Sequence, residues 1–500
     1  MKTYLAVDMG ASGGRLIAGR FDGARLETEE LYRFDNGAID LAGTLYWDVP
    51  GLWKNILTGL QIASSRFGNS VTSIGVDSWG VDFALLDKND TIIGNPVCYR
   101  DSRTNGMVEK ALNIMPRYDI FQHSGLQFMQ INTLFQLIAM RQNQSHILDI
   151  AKSFLMISDL FHWLLCGVKS NEFTNATTTQ FYNPVKQNWS DTILSKFDIP
   201  REIFLDIAQP CTELGNLRNE ISSHVGGLSG LKVVLPGTHD TASSVMSVPA
   251  FGKIGSTNWC YICLGTWALI GIESPSPVMN KTVYELNFTN EGGVGGTTRI
   301  LKNVTGLWLL QECRRIWNER GRQIGWEEMN NLTKEAVPLK SFINPDADEF
   351  LCPPNMPEAI VEFCRKTQQP VPETEGEILR CAVDSIALRL RQVLSMCETI
   401  SGNKIGNKIK VIHIVGGGAK HNLLCQSIAD ATGQQVLAGP IESTAIGNIM
   451  SQSVTAGDIA NIEEAREIIR NSFDIKTFTP NTKNNDKWDA ADNFIRNIKK

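Results

Sequence analysis

Two short stretches of the chain set a carboxylate beside small residues in a way that suits phosphate chemistry. The first is Asp8-Met9-Gly10-Ala11-Ser12-Gly13-Gly14-Arg15. Successive backbone N–H groups in such a turn can cradle phosphate oxygens, and Asp8 can face a magnesium ion that bridges them. The same residues also make an ordinary hairpin turn. The chain holds no G-x-x-x-x-G-K-[ST], so this is not a Walker loop. The second stretch is Gly237-Thr238-His239-Asp240-Thr241-Ala242. A carboxylate there can take the proton of an alcohol as its oxygen attacks a γ-phosphate, and it can equally cap the helix that follows. His239 is either a hydrogen-bonding partner of a substrate or a packed histidine. One base, one metal and one phosphate cradle form a sufficient set, because phosphoryl transfer depends mainly on positioning and charge stabilisation.

Three further stretches join them. Gly75-Val76-Asp77-Ser78-Trp79-Gly80-Val81-Asp82-Phe83 offers carboxylates and an indole to a polyol, or else is a hairpin with solvated acids. Gly265-Thr266-Trp267 repeats the small-residue turn, with a hydroxyl and adjacent N–H groups able to hold terminal phosphates. Val415-Gly416-Gly417-Gly418-Ala419-Lys420-His421-Asn422 follows an apolar run and opens a helix, the place where open α/β sheets bind ligands. Three glycines there let a flat adenine or ribose lie against bare backbone.

The elements that must position these groups read as an α/β chain. Residues 3–9 and 15–20 are apolar strands around the first turn. Residues 47–67 have helical spacing, with Leu52, Ile56 and Leu60 on one side. Residues 73–76 form a buried strand, expected to pair with 81–87 as a hairpin closed by Asn89-Asp90. A broken helical region covers 119–165, and 231–235 is a short strand. Then the pattern restarts: strand 258–264, turn 265–266, strand 267–272, helices 305–320 and 375–400, strand 409–415, and helices from 421 and over 444–456. This echo at the scale of a domain divides the chain into 1–248 and 249–485, with a polar surface tail over 486–500.

Bulk properties limit the function classes. The 500 residues are 42% hydrophobic and 20% charged, enough for two cores. A formal net charge of −6 argues against nucleic acid or an anionic membrane surface as partner. No run of about 18 apolar residues is present and the N-terminal apolar run is too short for a signal core, so a cytoplasmic protein is expected. The 11 cysteines suit reduced thiols. Cys260 and Cys263 lie three apart in a strand, on opposite faces, and so read as core residues rather than metal ligands. Cys364 and Cys381 flank a Pro- and Gln-rich loop and are candidates for proximity.

Taken together, the motifs resemble the FGGY carbohydrate kinases, a branch of the actin-like ATPase superfamily. The likeness rests on the two phosphate turns, the later glycine turn and G-T-H-D-T-A-S. It extends through G-V-D-S-W-G-V-D-F, Y-R-D-S-R-T-N-G, T-N-A-T-T-T-Q, T-N-E-G-G, L-K-N-V-T-G-L-W-L-L-Q and I-H-I-V-G-G-G. These stretches are similar to those of family members that act on L-rhamnulose. The resemblance implies two ribonuclease H-like domains with an active-site cleft between them. It implies ATP and L-rhamnulose as substrates, magnesium as cofactor, and a monomer or weak homo-oligomer. By the same resemblance Asp240 is the general base, and Asp8 faces magnesium. Ala11, Ser12, Gly13, Gly14, Arg15, Thr266, Asn303, Gln311 and Gly417 are ATP-binding positions. Gly80, His239, Asp240 and Thr241 touch the ketose. Gly13 stands where relatives often carry a serine, so contact there rests on the backbone. Rival readings are a kinase of another sugar, a non-catalytic ATPase module, and a sugar-binding regulator, although no basic helix-turn-helix is evident.

Overall fold

The computed structural model describes residues 1–252, 255–256, 258–401 and 408–497. Its chain forms two compact units. The first comprises Met1–Gly255, Glu273–Ile300 and Ser443–Ser472; the second comprises Ser256–Ile272, Leu301–Glu442 and Phe473–Lys500. The sequence reading sets one division near residue 249. In the structure the chain leaves the first unit after Gly255 and returns to it twice. Residues 253, 254 and 257, next to that point, lie outside the described residues, as do the last three of the tail.

The first unit is built on a six-stranded sheet. Strand β1 (Lys2–Gly10) is buried along nearly its whole length, because it is covered on both faces; this is why it reads as a continuous apolar run. It pairs antiparallel with β2 (Gly13–Phe21), and Ala11-Ser12 make the turn. Strand β3 (Leu26–Asp35) follows antiparallel on β2. On its other side β1 pairs parallel with Val71–Ser78, which pairs parallel with Lys232–Leu235; Thr212–Asn216 closes that edge antiparallel. The helix Val49–Phe67 starts where Asp48 accepts from the Gly51 N–H and Pro50 stands in its first turn. It buries Leu52, Ile56 and Leu60, each worth about 1.5–3 kcal/mol. The helix Ser443–Thr455 completes this unit. Its Gln452 donates to the Leu5 carbonyl at 2.9 Å and accepts from Ser73 at 2.6 Å. Gly447 makes its close seat possible, since a Cβ there would stand 1.8 Å from the Ser243 carbonyl oxygen.

The second sheet runs in the order Thr289–Gly292, Thr298–Thr305, Trp267–Ser274, Trp259–Leu264, Val411–Val415, Gln435–Ala438, Lys476–Phe478. Trp259–Leu264 is antiparallel to Trp267–Ser274 and parallel to Val411–Val415, which is parallel to Gln435–Ala438; Lys476–Phe478 is antiparallel at the edge. The strand order and directions at the core of the first sheet recur. The long helix Glu375–Ile400 is capped by Thr374, which accepts from the Glu377 N–H, and buries Ile378, Ala382, Ile386, Leu390 and Val393.

Four expectations need correction. The strand near 83 (Phe83–Leu86) pairs antiparallel with Ser153–Met156, not with Val71–Ser78, whose two edges are already taken by parallel partners. Ser153–Met156 itself lay inside a stretch read as helical; its four residues are all buried, and so short an apolar run carries no period. The helix expected from 305 begins at Trp308, because Thr298–Thr305 is a strand. The described part of the tail is a helix, Asn485–Asn497, with Trp488, Ala491 and Asp492 buried. Its Asp492 accepts from Gln392 at 2.9 Å. Cys364 and Cys381 do approach one another, Sγ to Sγ 4.0 Å, as free thiols. Cys260 is buried and Cys263 partly so, without a disulfide. Among the described residues no helix is long and apolar enough to cross a membrane.

Candidate active site

Three parallel strands of the first unit bring their carboxyl ends together, and each delivers an acid. Asp8 near the end of β1 stands in register with Asp77 on Val71–Ser78. Beyond Lys232–Leu235 the chain stays alongside: the Ser78 N–H donates to the Thr238 carbonyl at 2.9 Å, and Ser78 bridges to His239. Asp240 then opens the helix Asp240–Met246. It is the first helical residue, with His239 in the capping position, so the helix-cap role is not its own.

The acids differ in surroundings. Asp8 is paired with the Arg15 guanidinium, its cross-strand neighbour on β2. Asp77 is fully buried; Asn448 donates to one oxygen at 2.6 Å, and the other has no partner. Burial, with the Asp8 charge adding, pushes its carboxyl well above the ordinary range. Asp240 keeps a third of its side-chain surface open. Burial of the rest raises its carboxyl, and His239 and the Thr241 hydroxyl work against that rise. Thr241 donates to Oδ1 at 2.9 Å, and His239 Nε2 faces the same oxygen at 3.4 Å. Both side-chain contacts fall on Oδ1.

The polar wall beside Asp240 is assembled from buried hydrogen bonds. Glu172 accepts from the Thr174 and Thr238 hydroxyls, each at 2.6 Å, and pins the loop that carries His239. The His239 N–H donates to Thr174 at 3.0 Å. Gly80 lies against Thr178: a Cβ at 80 would stand 3.0 Å from that side chain. Val81 has φ +67°, costly for a β-branched residue. It is held there by an N–H bond to Thr178 at 3.1 Å and a bond from Thr133 to its carbonyl at 2.6 Å. Sequence reasoning missed Glu172, Thr174 and Thr178 as builders of the site. The T-N-A-T-T-T-Q stretch was the only signal, and it served only as a mark of resemblance.

The expected sugar-stacking indole is corrected. Trp79 is 6% exposed, packs on Trp47 at 4.3 Å, and turns its N–H to Asp82 at 3.1 Å. Asp82 is a buried hub rather than a solvated or sugar-facing acid. It accepts from Trp47 at 2.6 Å, from the Tyr99 N–H at 3.1 Å and from Gln136 at 2.9 Å. Burial pushes its carboxyl up to about 6 against those bonds.

In the second unit the Thr266 hydroxyl donates to Gln311 at 3.0 Å, so these two expected positions meet. The turn is fixed by bonds from the Gly306 and Trp308 N–H groups to the Thr266 carbonyl, at 3.1 and 3.2 Å. Asn303 lies on the strand Thr298–Thr305. Gly417 is exposed at the end of Val411–Val415, and a Cβ there would meet nothing within 4 Å. A Cβ on Gly418 would strike the Leu264 side chain at 2.3 Å, so the glycine turn abuts the strand leading into Thr266. In the first unit Ala11, Gly13 and Arg15 are half-buried, Ser12 is exposed and Gly14 is buried under the Phe34 ring.

Family profiles match nearly the whole chain. The N-terminal domain of the FGGY family of carbohydrate kinases matches residues 3–247, and its C-terminal domain matches residues 260–456. The chain belongs to the FGGY family of carbohydrate kinases. It is an ATP-dependent sugar kinase of that family. Among relatives of this FGGY kinase, a rhamnulokinase of Bacteroides thetaiotaomicron is 39% identical over 98% of this chain and 98% of its own. A rhamnulokinase of Halalkalibacterium halodurans is 40% identical over 96% of this chain and 99% of its own. The structure of a ligand-bound xylulose kinase from Lactobacillus acidophilus superposes with a TM-score of 0.81 at 15% identity, covering 100% of this chain and 98% of that one, and so shares the FGGY kinase fold.

Kinases of this family work with ATP and a divalent metal. Among the described residues no three His, Cys, Asp or Glu side chains form a metal cage. A hard cation at phosphates is held mainly by phosphate oxygens and water, with one or two carboxylates from the protein. Asp8 and Asp240 offer such oxygens.

Proposed function

We propose that this kinase transfers the γ-phosphate of ATP to O1 of L-rhamnulose, giving L-rhamnulose 1-phosphate and ADP. The observation that carries the mechanism is Asp240, a third of its side chain open, with the Thr241 hydroxyl and His239 both on Oδ1. The choice of ketose is supported by the names of relatives similar over nearly their full length.

In this reading Asp240 Oδ2 takes the proton of the primary hydroxyl while the oxygen attacks the γ-phosphorus and the bond to the ADP oxygen breaks. Gly80, His239 and Thr241 touch the ketose. Ala11, Ser12, Gly13, Gly14 and Arg15 hold phosphates through the β1–β2 turn, and Thr266, Asn303, Gln311 and Gly417 serve the rest of ATP. Asp8 would hold magnesium, which would supply charge neutralisation when bound. A division of the chain into 1–248 and 249–485 belongs to the same proposal; the limits of the two matched profiles support it. A cytoplasmic setting and a monomer or weak homo-oligomer are proposed with it.

ADP release measured with ATP alone, with L-rhamnulose, and with L-fuculose or D-xylulose tests this. Release should require a ketose and be fastest with L-rhamnulose. Equal release without sugar, or faster release with another ketose, overturns the assignment.

A further inference from the structure

One carboxylate oxygen joins two sides of the candidate site, and the chemistry above gives it no part. Glu172 Oε2 collects five donors. On one side are the Thr174 and Asn175 N–H groups, at 2.9 and 3.2 Å, and the Thr174 hydroxyl at 2.6 Å; the two N–H groups cap the short helix Phe173–Ala176. On the other are the Thr238 hydroxyl at 2.6 Å and the Thr238 N–H at 3.3 Å. Glu172, Thr174 and Thr238 are completely buried. From the helix the chain runs to Thr178, which lies against Gly80 and accepts from the Val81 N–H. From Thr238 it runs straight into His239 and Asp240. The Gly80 wall and the loop that carries Asp240 are thus held by the same atom.

A backbone N–H can only donate. The His239 N–H meets Thr174 Oγ1 at 3.0 Å, so that oxygen accepts and must send its own proton elsewhere. Glu172 Oε2 receives it, and the backbone N–H groups around Oε2 keep that oxygen an acceptor. Burial raises the Glu172 carboxyl, and any proton it gains goes to Oε1, which has no partner, so the chain is not reversed. The line from the His239 N–H through Thr174 to Glu172 therefore has one polarity, whatever the state of the His239 ring. Resting on the reading of Asp240 as the base, we infer that Glu172 is a positioning residue: through Thr174 it fixes the peptide before His239 against the Gly80 wall, and so sets the place of the base relative to the hydroxyl it deprotonates.

The test cuts the line at its middle. Thr174→Val keeps the shape of the side chain and removes the hydroxyl; Thr174→Ser keeps the hydroxyl. Both are assayed in the full-length protein with the ketose that gives the fastest ADP release. In Thr174→Val, kcat should fall roughly tenfold with the KM for ATP unchanged, while Thr174→Ser stays within about twofold of the unaltered protein. The same Val substitution placed in Asp240→Asn should lower the residual turnover by less than about twofold, because no base is left to position. Unchanged kcat in Thr174→Val overturns the inference. So does an equal loss in the Asp240→Asn background, which marks a purely structural role. Should Thr174→Val not fold, Glu172→Gln is read in the same two backgrounds: it keeps an acceptor oxygen without the charge, and kcat should fall about threefold to tenfold in the first and not in the second. The unaltered protein supplies a check that needs no variant. Its His239 amide should exchange with solvent deuterium at least about a hundredfold more slowly than in a free peptide, and free-peptide exchange overturns the inference. Asp240→Asn alone separates the two levels. Near-normal turnover there refutes the base itself; loss of turnover there, with a contrary result at Thr174, refutes only the role of Glu172.

Discussion

In the first unit the parallel strands end on Asp8 and Asp77, and Asp240 follows five residues after Leu235. In the second unit the corresponding strands end on Leu264-Gly265-Thr266, on Gly416-Gly417-Gly418 and on Gly439-Pro440. The strand order and directions are the same, yet one set of ends carries three acids and the other carries bare backbone and a hydroxyl. A shared scaffold thus holds two kinds of chemistry. Acids can grip a cation and accept a proton; small residues can admit anionic oxygens and a flat ring. The difference lies in a few side chains at strand ends, not in the framework.

Substitutions can break or sharpen that contrast. The largest effect is expected from Asp240→Asn, which keeps the shape but cannot accept the proton. It should lower kcat by roughly 10²–10⁴-fold while ATP still binds, as measured by turnover and nucleotide titration. Near-normal turnover would erase the distinction between the two sets of ends. Gly447→Ala comes next. Its Cβ would stand 1.8 Å from the Ser243 carbonyl, so the helix that begins with Asp240 must move. A stability loss of about 1–3 kcal/mol, seen in thermal melts, should accompany reduced turnover. In the second unit Thr266→Val removes the hydroxyl bonded to Gln311. The KM for ATP should rise about three- to tenfold with the ketose KM unchanged, a result obtained by varying each substrate in turn. A rise in the ketose KM instead would mean that the units do not divide the work.

The smallest effect concerns pH. The Asp82 carboxyl is pushed up to about 6 in the folded protein, above its value in an unfolded chain. Between roughly pH 4 and 6 the folded state therefore binds more protons, and stability from this group falls as pH rises. Melting temperature measured from pH 7 down to pH 5 should carry that contribution, and Asp82→Asn should flatten it.

How much of this could be read from the chain depends on the type of signal. The two glycine turns and the strands around them were legible, because hairpins and apolar runs are local. Asp240 was ambiguous, since a carboxylate at a helix start reads equally as a cap; only its place inside the helix, one residue past the cap position held by His239, separates the two. Trp79 and Asp82 misled for the reverse reason. An indole and an acid three residues apart look like a sugar platform, and only the partners Trp47, Tyr99 and Gln136, brought from distant segments, show them to be an internal brace. Glu172 gave no local sign, because its part in the site lies in its bond with Thr238, 66 residues on.

The helix Ser443–Thr455 has a consequence for how the protein is made. Its Asn448 and Gln452 satisfy polar groups on the central strands formed by the first eighty residues. A ribosome that has released only the first 250 residues has therefore not supplied what those strands need. The nascent amino-terminal half must wait, its middle strands uncapped, until residues as far as Gln452 have been translated.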